Sequence, residues 1–395
     1  MSPEITPDYI STLYTASRDM LEAMRNRAAE TKTGENSLPR FTLAEASEMV
    51  GRSVSAIRDA ESDGRLPSPS LKTPKGRRGG YTLEEVNRMR DVFGTRPRRA
   101  DSDPPAVIAF QNFKGGVSKT TTAVHAAQYM AREGYRTLIV DCDPQSSTTS
   151  LFNYVPDLDI DEEETIAPYL REVERPDMRY AIRTTHWDGL HLIPANLRLY
   201  AVEYEMAARL AQRQEQVLDR LAKGIESIAD DYDIVIIDPP PALGTISLSV
   251  MQAANALLIP VPPTVMDFSS TSSFFDLLDE TITTLGQYGY PVSLKWLRIL
   301  LSRVEDSKSM QKEIAEMMRG IFGDAVMRSV MRDSAEIDNA SGRMMTVYEL
   351  DKPITSREVH NRAVRHLDAV CAEILLEVRK AWPSHTKALQ DEAVI

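Results

Sequence analysis

The chain has 395 residues, 42% of them hydrophobic, and a formal net charge of −12 at pH 7. This length allows about two or three domains with their own apolar cores. The cysteines, Cys142 and Cys371, are far apart and lack zinc-ligand spacing, which disfavours a structural zinc site and suits a reducing cytoplasm. No segment approaches ~18 uninterrupted apolar residues, and residues 1–33 lack the apolar centre of a signal peptide, so we expect a cytoplasmic protein.

Positive charge is concentrated near the N-terminus, although the whole chain is acidic. Residues 36–100 contain 13 Lys and Arg against 8 Asp and Glu, and residues 66–80 contain four cations and no acid. The overall charge disfavours nucleic-acid binding over the whole surface. The local excess predicts a nucleic-acid-binding module on an acidic body.

The first predicted element is a long helix over residues 7–32, within an N-terminal segment 1–35. Its apolar side chains recur at helical spacing at Ile10, Leu13, Met20 and Met24. Such a stripe must be buried against something. Packing on the next domain and dimerisation with a second copy both remain open.

Residues 36–94 follow as a predicted small domain with three helices. Thr42 and Glu45 form a capping box for a helix over 43–50, and Gly51 turns the chain. Ser53 caps a second helix over 54–63, and Thr82 caps a third. The basic, Pro- and Gly-containing stretch 66–80 is predicted to form a hairpin or wing.

These segments resemble the winged helix–turn–helix of MerR-type regulators at residues 41–46, 54–58, 63–66 and 81–82. The resemblance implies that the second helix reads a DNA groove. Base or phosphate contacts are then expected from Arg52, Ser55 and Arg58, and phosphate contacts from Lys75, Arg77 and Arg78. The alternative is a small packing domain whose charges only face solvent.

Residues 95–105 are predicted to be a linker, and the pattern then changes to alternating strands and helices. Continuous apolar strands separated by helices indicate an α/β fold whose parallel sheet is covered on both faces. The predicted strands are 107–112, 137–141, 190–193, 234–238, 256–261, 296–302 and 325–331.

A glycine-containing loop at 113–121 joins the first strand to a helix. Backbone N–H groups of such a loop, together with the helix N-terminus, bind phosphate. Lys119 is expected to reach the β- and γ-phosphates, and the Thr120 hydroxyl to ligate Mg²⁺. The other loop residues that we expect at the nucleotide are Lys114, Gly115, Gly116, Val117, Ser118 and Thr121.

Two more strands end in aspartates. The strand 137–141 leads into Asp141 and Asp143, and the strand 234–238 ends at Asp238. Because strand carboxyl ends meet at one edge of a doubly wound sheet, these aspartates should converge on the loop. The three elements together predict a site for ATP and Mg²⁺.

The three elements resemble those of the ParA family of deviant Walker ATPases, which partition plasmids and chromosomes. The loop fits KGGxxK[ST], and residues 141–145 fit DxDPQ. The resemblance covers about residues 107–382 and implies a P-loop doubly wound fold for an ATPase domain over 106–395. With the N-terminal helix and the helix–turn–helix, the layout is similar to the large plasmid-encoded class, in particular the RepA proteins of repABC plasmids.

The resemblance also implies roles for single residues. Lys119 and Thr120 keep the roles given above, and Thr121 would hold the α-phosphate. Lys114 would reach across a homodimer to the partner's ATP, which makes it catalytic with Lys119 and Asp143. Asp143 would position the attacking water, and Asp141 and Asp238 would order the metal shell.

The same resemblance implies nonspecific DNA binding by the ATP-bound dimer, through phosphate contacts that depend on salt. The family's DNA-contacting arginine corresponds to Arg332, and Lys308 falls near a second basic position. Arg328, Lys312 and Arg343 are weaker candidates. The alternative for each is a surface ion pair with acids such as Glu313 and Glu316.

The implied function is ATP-dependent plasmid segregation on the nucleoid. A ParB-like centromere-binding partner would stimulate hydrolysis, and the helix–turn–helix would bind operator DNA and repress the chain's own operon. A nucleotide-switched transcriptional regulator is an alternative. A MinD-like membrane-cycling ATPase is another, disfavoured because the tail after Pro383 is short and contains Asp391 and Glu392.

Overall fold

The computed structural model describes residues 6–32, 40–70, 79–171, 175–212 and 217–392. The basic residues predicted for the wing, Lys75, Arg77 and Arg78, lie outside these ranges. The helices are α1 Pro7–Lys32, α2 Leu43–Val50, α3 Val54–Ser62, α4 Leu83–Phe93, α5 Lys119–Glu133, α6 Ser147–Leu151, α7 Pro156–Asp159, α8 Ala167–Arg171, α9 Leu199–Ala211, α10 Arg220–Glu226, α11 Thr245–Ala253, α12 Val265–Gln287, α13 Ser309–Phe322, α14 Ala335–Ser341, α15 Arg357–Ala381 and α16 Thr386–Asp391.

One seven-stranded sheet forms the centre of the protein. Its spatial order is β3-β4-β2-β5-β1-β6-β7, and every neighbouring pair is parallel except β3 with β4. The predicted α/β class with a mostly parallel sheet is therefore confirmed. The strands are β1 Ala106–Phe110, β2 Thr137–Asp141, β3 Arg183–Thr184, β4 Leu190–Ile193, β5 Ile234–Asp238, β6 Ala256–Val261 and β7 Trp296–Leu301.

The strand predicted over 325–331 is wrong. Near its two ends the segment bonds β7 through single N–H groups, Met327 to the Ile299 carbonyl and Met331 to the Leu301 carbonyl, and its bridge at Val326 is isolated. Side chains take up the intervening backbone groups: Arg319 donates to two carbonyls, and Glu373 accepts from the N–H groups of Arg328 and Ser329. A continuous ladder cannot form when its donors and acceptors are bonded to side chains. The two-residue β3, which has no apolar run, was not predicted.

Helices cover both faces of the sheet. Alternate strand residues point to opposite sides, so Val107 and Ala109 belong to one apolar cluster, and Ile108 and Phe110 to the other. The first cluster includes buried residues of α9 to α13, and the second includes residues of α5, α14 and α15. The carboxyl edge of the sheet is thereby fixed between two packed layers.

Helices α2, α3 and α4 share a small apolar core of their own. As the sequence predicted, Thr42 forms a capping box with Glu45, and Ser53 and Thr82 cap α3 and α4. Thr82 also forms a capping box with Glu85. Gly51, with φ of 66°, provides the left-handed turn between α2 and α3. The core consists of Ala46, Val50, Ile57, Ala60, Leu66, Tyr81, Val86 and Met89.

The predicted N-terminal helix is confirmed as α1, but its apolar stripe stays open to solvent in the single chain. Ile10, Leu13 and Met20 are 58%, 51% and 66% exposed. No helix of the described ranges combines the length and apolarity needed to cross a membrane.

A buried arginine links α2 and α4 to α5, one of the helices that cover the sheet. Arg90 donates to the carbonyls of Met49 and Arg132 and to the side chain of Asn87, at 3.1, 2.9 and 2.7 Å. Burial lowers its pKa to about 10. Its guanidinium is thus buried, and the acceptors that compensate for the lost hydration come from α2, α4 and α5.

We expect Arg90→Ala to lower the free energy of unfolding by about 3 kcal/mol, because it leaves buried carbonyls without donors. Urea unfolding followed by circular dichroism measures this change. Arg88→Ala is the matched control on α4, since Arg88 is exposed and its 3.6 Å pair with Glu84 is exposed as well. Equal unfolding midpoints for the two variants would contradict the role of Arg90.

Candidate active site

The loop between β1 and α5 has the left-handed backbone that phosphate-binding loops require. Gly116 and Ser118 have φ of 73° and 71°, and the second is strained because serine has a Cβ atom. The Ser302 hydroxyl holds this loop by donating to the Val117 carbonyl at 2.9 Å. Adjoining it is a cleft of about 630 Å³, the phosphate cleft, lined in part by Gly115, Gly116, Ser118, Lys119, Thr120, Thr121 and Asp143.

Lys119 is the buried cation of the phosphate cleft. Its ammonium donates to the Lys114 carbonyl at 3.2 Å, and its residue is only 7% exposed. Burial lowers the pKa of Lys119, while Asp238 and Asp143 oppose the shift. A cation with so few protein partners in a desolvated pocket is suited to bind an anion.

Asp238 lies at the end of β5 and bonds both neighbouring threonines. The hydroxyls of Thr120 and Thr148 donate to its Oδ2 at 2.7 and 2.8 Å. Its other oxygen, Oδ1, is buried without a hydrogen-bond partner, and burial raises the pKa of Asp238 to about 6. A free carboxylate oxygen beside a threonine hydroxyl suits Mg²⁺, which prefers oxygen ligands and retains waters.

Asp141 is paired in register with Asp238, but its oxygens are occupied within the chain. One oxygen accepts from the Asp143 backbone at 3.1 Å, and the other accepts from the backbone and hydroxyl of Thr149. Burial and the neighbouring Asp238 raise the pKa of Asp141 well above its ordinary value. These contacts favour an organising role for Asp141; its predicted role in the metal shell stays a prediction.

Asp143 faces the phosphate cleft from the loop after β2. Its Oδ1 accepts from the Gln145 backbone at 2.9 Å. Burial raises its pKa, although the Gln145 N–H and Lys119 lower it. The structure thus brings Asp143 and the P-loop residues to one cleft, with Asp238 bonded to Thr120 beside it.

Lys114 forms an ion pair within its own chain. Its ammonium contacts Asp267, in the first turn of α12, and Asp267 also bonds Thr264. The predicted contact of Lys114 with a partner's nucleotide is not tested by a single chain. This ion pair would have to open for it.

The residues predicted to contact DNA fall in two places. Arg52, Ser55 and Arg58 are exposed on α3 and the turn before it, and Arg52 donates to the Phe93 carbonyl at 3.3 Å.

The other predicted DNA contacts lie near the cleft. Arg332 is half-buried, pairs with Asp306 and lines the phosphate cleft. Lys308 is exposed and bonds Glu305 at 2.5 Å. The surface ion pairs considered as the alternative are therefore present at both of these cations.

Several residues of the site were missed from the sequence. Thr148 and Thr149 bind Asp238 and Asp141, and Arg303, with φ of 51°, donates to the Gly116 carbonyl at 3.3 Å. The Ser- and Thr-rich run 146–150, directly after Asp143, was the available signal for the two threonines. No sequence signal identified Arg303.

Known proteins match the chain over most of its length. SopA of Escherichia coli K12 is 38% identical over 85% of this chain and 87% of its own. A putative replication protein A of Rhizobium rhizogenes is 33% identical over 88% and 89%. A solved partition protein has a TM-score of 0.66 at 21% identity, covering 94% of this chain and 98% of its own. The AAA domain family matches residues 105–287.

One further solved structure shows what a protein of this fold can hold. Cobyrinic acid a,c-diamide synthase of Mycobacterium smegmatis, with bound ATP analogue and magnesium, has a TM-score of 0.51 at 24% identity. It covers 66% of this chain and 95% of its own. The likeness is one of fold.

A deviant glycine loop at the carboxyl edge of a parallel sheet, with aspartates ending two adjacent strands, defines a P-loop ATPase of the ParA class. Within that class, the chain belongs to the family of plasmid partition ATPases and replication proteins that contains SopA and replication protein A. The resemblance of the ATPase domain to the ParA family is confirmed.

We expect Lys119→Ala to weaken nucleotide binding by at least about 100-fold, because a charge-assisted contact to phosphate is lost from a desolvated site. Titration with a fluorescent ATP analogue measures the dissociation constant. Lys352→Ala, at an exposed lysine away from the cleft, is the control. Unchanged affinity in Lys119→Ala would refute the assignment of the loop.

Proposed function

We propose that this protein is a plasmid partition ATPase that dimerises on ATP, binds DNA without sequence preference and is stimulated by a ParB-like centromere-binding protein. The observation that carries the proposal is the buried Lys119 in a cleft that also contains Asp143, beside Thr120 bonded to Asp238. Relatives that share most of the chain's length support it.

ATP and Mg²⁺ are the proposed ligands of the phosphate cleft. The loop N–H groups and Lys119 would bind the phosphates, and Thr120, with Asp238 behind it, would hold the metal. The unpartnered Oδ1 of Asp238 supports this, since a buried carboxylate oxygen without a donor is costly to keep empty. When bound, Mg²⁺ neutralises charge on the phosphates.

Asp143 is the proposed positioner of the attacking water. Its carboxylate lines the cleft that contains Lys119, and its Oδ1 accepts from the Gln145 backbone. Phosphoryl transfer needs orientation and charge stabilisation more than covalent help from the protein. The Gln145 N–H holds the Asp143 carboxylate at the cleft, where it can orient a water without a direct contact to Lys119.

We expect Asp143→Ala to keep ATP binding and ATP-dependent DNA binding but to lower kcat by about 100-fold, because only the positioning of water is lost. A phosphate-release assay measures kcat, and the titration described for Lys119 measures binding. Asp351→Ala, at an exposed aspartate, is the control. Turnover at the level of the unaltered protein would remove Asp143 from this role.

Lys114 supports an ATP-dependent dimer. In the family pattern it reaches the partner's nucleotide, and here its ammonium is half-exposed next to the phosphate loop and held by Asp267. Exchanging a carboxylate for a triphosphate would give the lysine a stronger partner. ATP binding would then favour two chains that face one another, and hydrolysis would release them.

The helix–turn–helix segment and Arg332 are the proposed DNA contacts. Arg52, Ser55 and Arg58 are exposed on one short helix and its turn, as groove reading requires. They would bind operator DNA and repress the operon, while Arg332 and Lys308 would bind phosphates of any sequence on the nucleoid. Asp306 and Glu305 would have to release these two cations.

We expect the unaltered protein to bind random DNA with ATP but not with ADP, and Arg332→Ala to weaken this binding by about tenfold with a shallower salt dependence. Arg58→Ala should weaken binding to the chain's own promoter only. Fluorescence anisotropy on random and promoter DNA, with ATP, ADP or no nucleotide, separates these effects.

Arg88→Ala, on the neighbouring exposed surface of α4, is the control for both DNA variants. Binding of promoter DNA alone, with no ATP-dependent binding of random DNA, would favour the nucleotide-switched regulator over the partition ATPase. Full affinity of Arg332→Ala for random DNA would exclude that arginine from the interface.

A further inference from the structure

We propose that Tyr200 and Glu203, on the same helix α9, are positioning residues for ATP hydrolysis. Tyr200 bonds the loop that carries Asp143, and Glu203 bonds the start of α11, where the loop that follows Asp238 ends. Neither lines the phosphate cleft within the described residues. The inference rests on the proposed role of Asp143. It adds an outer support that controls turnover without contacting the nucleotide.

The loop after β2 is tied to α9 through Gln145. The Gln145 backbone donates to Asp143 Oδ1 at 2.9 Å, and its side-chain amide donates to the Tyr200 hydroxyl at 2.8 Å. One residue therefore contacts the proposed water-positioning carboxylate at one end and α9 at the other. Gln145 is itself exposed, so without the tyrosine its side chain would be free to change rotamer.

The loop after β5 is tied to α9 through Glu203. This loop runs from Asp238 to the start of α11, where the Glu203 carboxylate accepts from the N–H groups of Thr245 and Ile246. A carboxylate from another helix thus satisfies free donors at the N-terminus of α11, where the helix dipole favours negative charge. The 2.9 Å bond to Ile246 is the longer of the two.

Gly244 makes this contact possible. A Cβ atom built at that position would lie 2.5 Å from Glu203 Oε1, closer than unbonded atoms can approach. The absence of a side chain at Gly244 lets the carboxylate reach the backbone of α11. The Ser247 hydroxyl closes the same turn by donating to the Ala242 carbonyl at 2.5 Å.

Helix α9 is anchored in the core of the protein, which suits a common support. Leu199, Val202 and Met206 on its inner face are buried in the main apolar cluster. The outer face remains exposed, with Tyr200 and Tyr204 at 44% and 76% exposure. A packed helix that bonds both loops fixes the position of Asp143 relative to Asp238, and small errors in such positions lower turnover strongly.

The test is ATPase kinetics of Tyr200→Phe and Glu203→Gln. We expect kcat to fall about fivefold in the first and about tenfold in the second, with KM and the dissociation constant for ATP within about twofold of the unaltered protein. Tyr204→Phe and Glu205→Gln are matched controls on α9, since Tyr204 is exposed and Glu205 pairs with Arg171. Both controls should keep the kcat of the unaltered protein.

A double-mutant cycle tests the contact between Gln145 and Tyr200 directly. If Gln145 carries the effect of Tyr200, the variant with both Gln145→Ala and Tyr200→Phe should lose no more kcat than Gln145→Ala alone. Tyr200→Phe removes one hydroxyl from a partly exposed ring, so its melting temperature should be unchanged. It decides the question even where Glu203→Gln folds poorly.

The proposal is overturned if Tyr200→Phe keeps the kcat of the unaltered protein, or if its loss appears as a higher KM with unchanged kcat. Asp143→Ala in the same assay distinguishes failure of the support by α9 from failure of the proposed role of Asp143. If Asp143→Ala loses turnover while Tyr200→Phe does not, only the support by α9 fails. If Asp143→Ala keeps turnover, the proposed role of Asp143 fails, and the support by α9 that rests on it fails with it.

Discussion

Two carboxylates that are fully buried side by side dominate this structure. Parallel pairing of β2 with β5 sets Asp141 opposite Asp238 at the carboxyl edge of the sheet. Keeping two such groups out of water is costly unless donors surround them. The chain supplies donors to Asp141 from Thr149 and to Asp238 from Thr120 and Thr148, and it leaves a single oxygen of Asp238 free.

The same pair explains how the loops of the site are shaped. Asp141 accepts from the backbone N–H of Asp143, so the buried carboxylate fixes the start of the loop that carries Asp143 to the phosphate cleft. Thr120 couples Asp238 to the first turn of α5, directly after Lys119. The phosphates of a bound nucleotide would supply negative charge opposite Lys119, and its metal would supply positive charge opposite the aspartates. Ligand binding should accordingly stabilise the fold as well as start the chemistry.

Contacts outside the cleft link this centre to the surfaces through which the protein would meet DNA and partners. Helix α9 bonds the loops after β2 and β5. Lys114 is held by Asp267, and Arg332 at the cleft edge is held by Asp306. The contacts of Lys114 and Arg332 each join a residue beside the phosphate cleft to an acid outside it, so under the proposed function exchange of these acids for ATP or DNA would couple nucleotide state to binding.

The sequence by itself determined the fold class, the phosphate loop, the aspartates at the ends of β2 and β5 and the capped helices near the N-terminus. All of these depend on local patterns: glycine spacing, apolar runs and capping residues. Only the tertiary structure decided that residues 325–331 are not a strand, that Thr148 bonds Asp238, that Glu203 bonds the start of α11, and that Asp141 is internally bonded. Most of those outcomes depend on partners far away in the chain, such as Glu373 beside Arg328 or α9 beside α11, and pairing over such distances leaves no periodic signal. Asp141 is bonded nearby, to Thr149, but the turn that brings the two together follows no periodic pattern either.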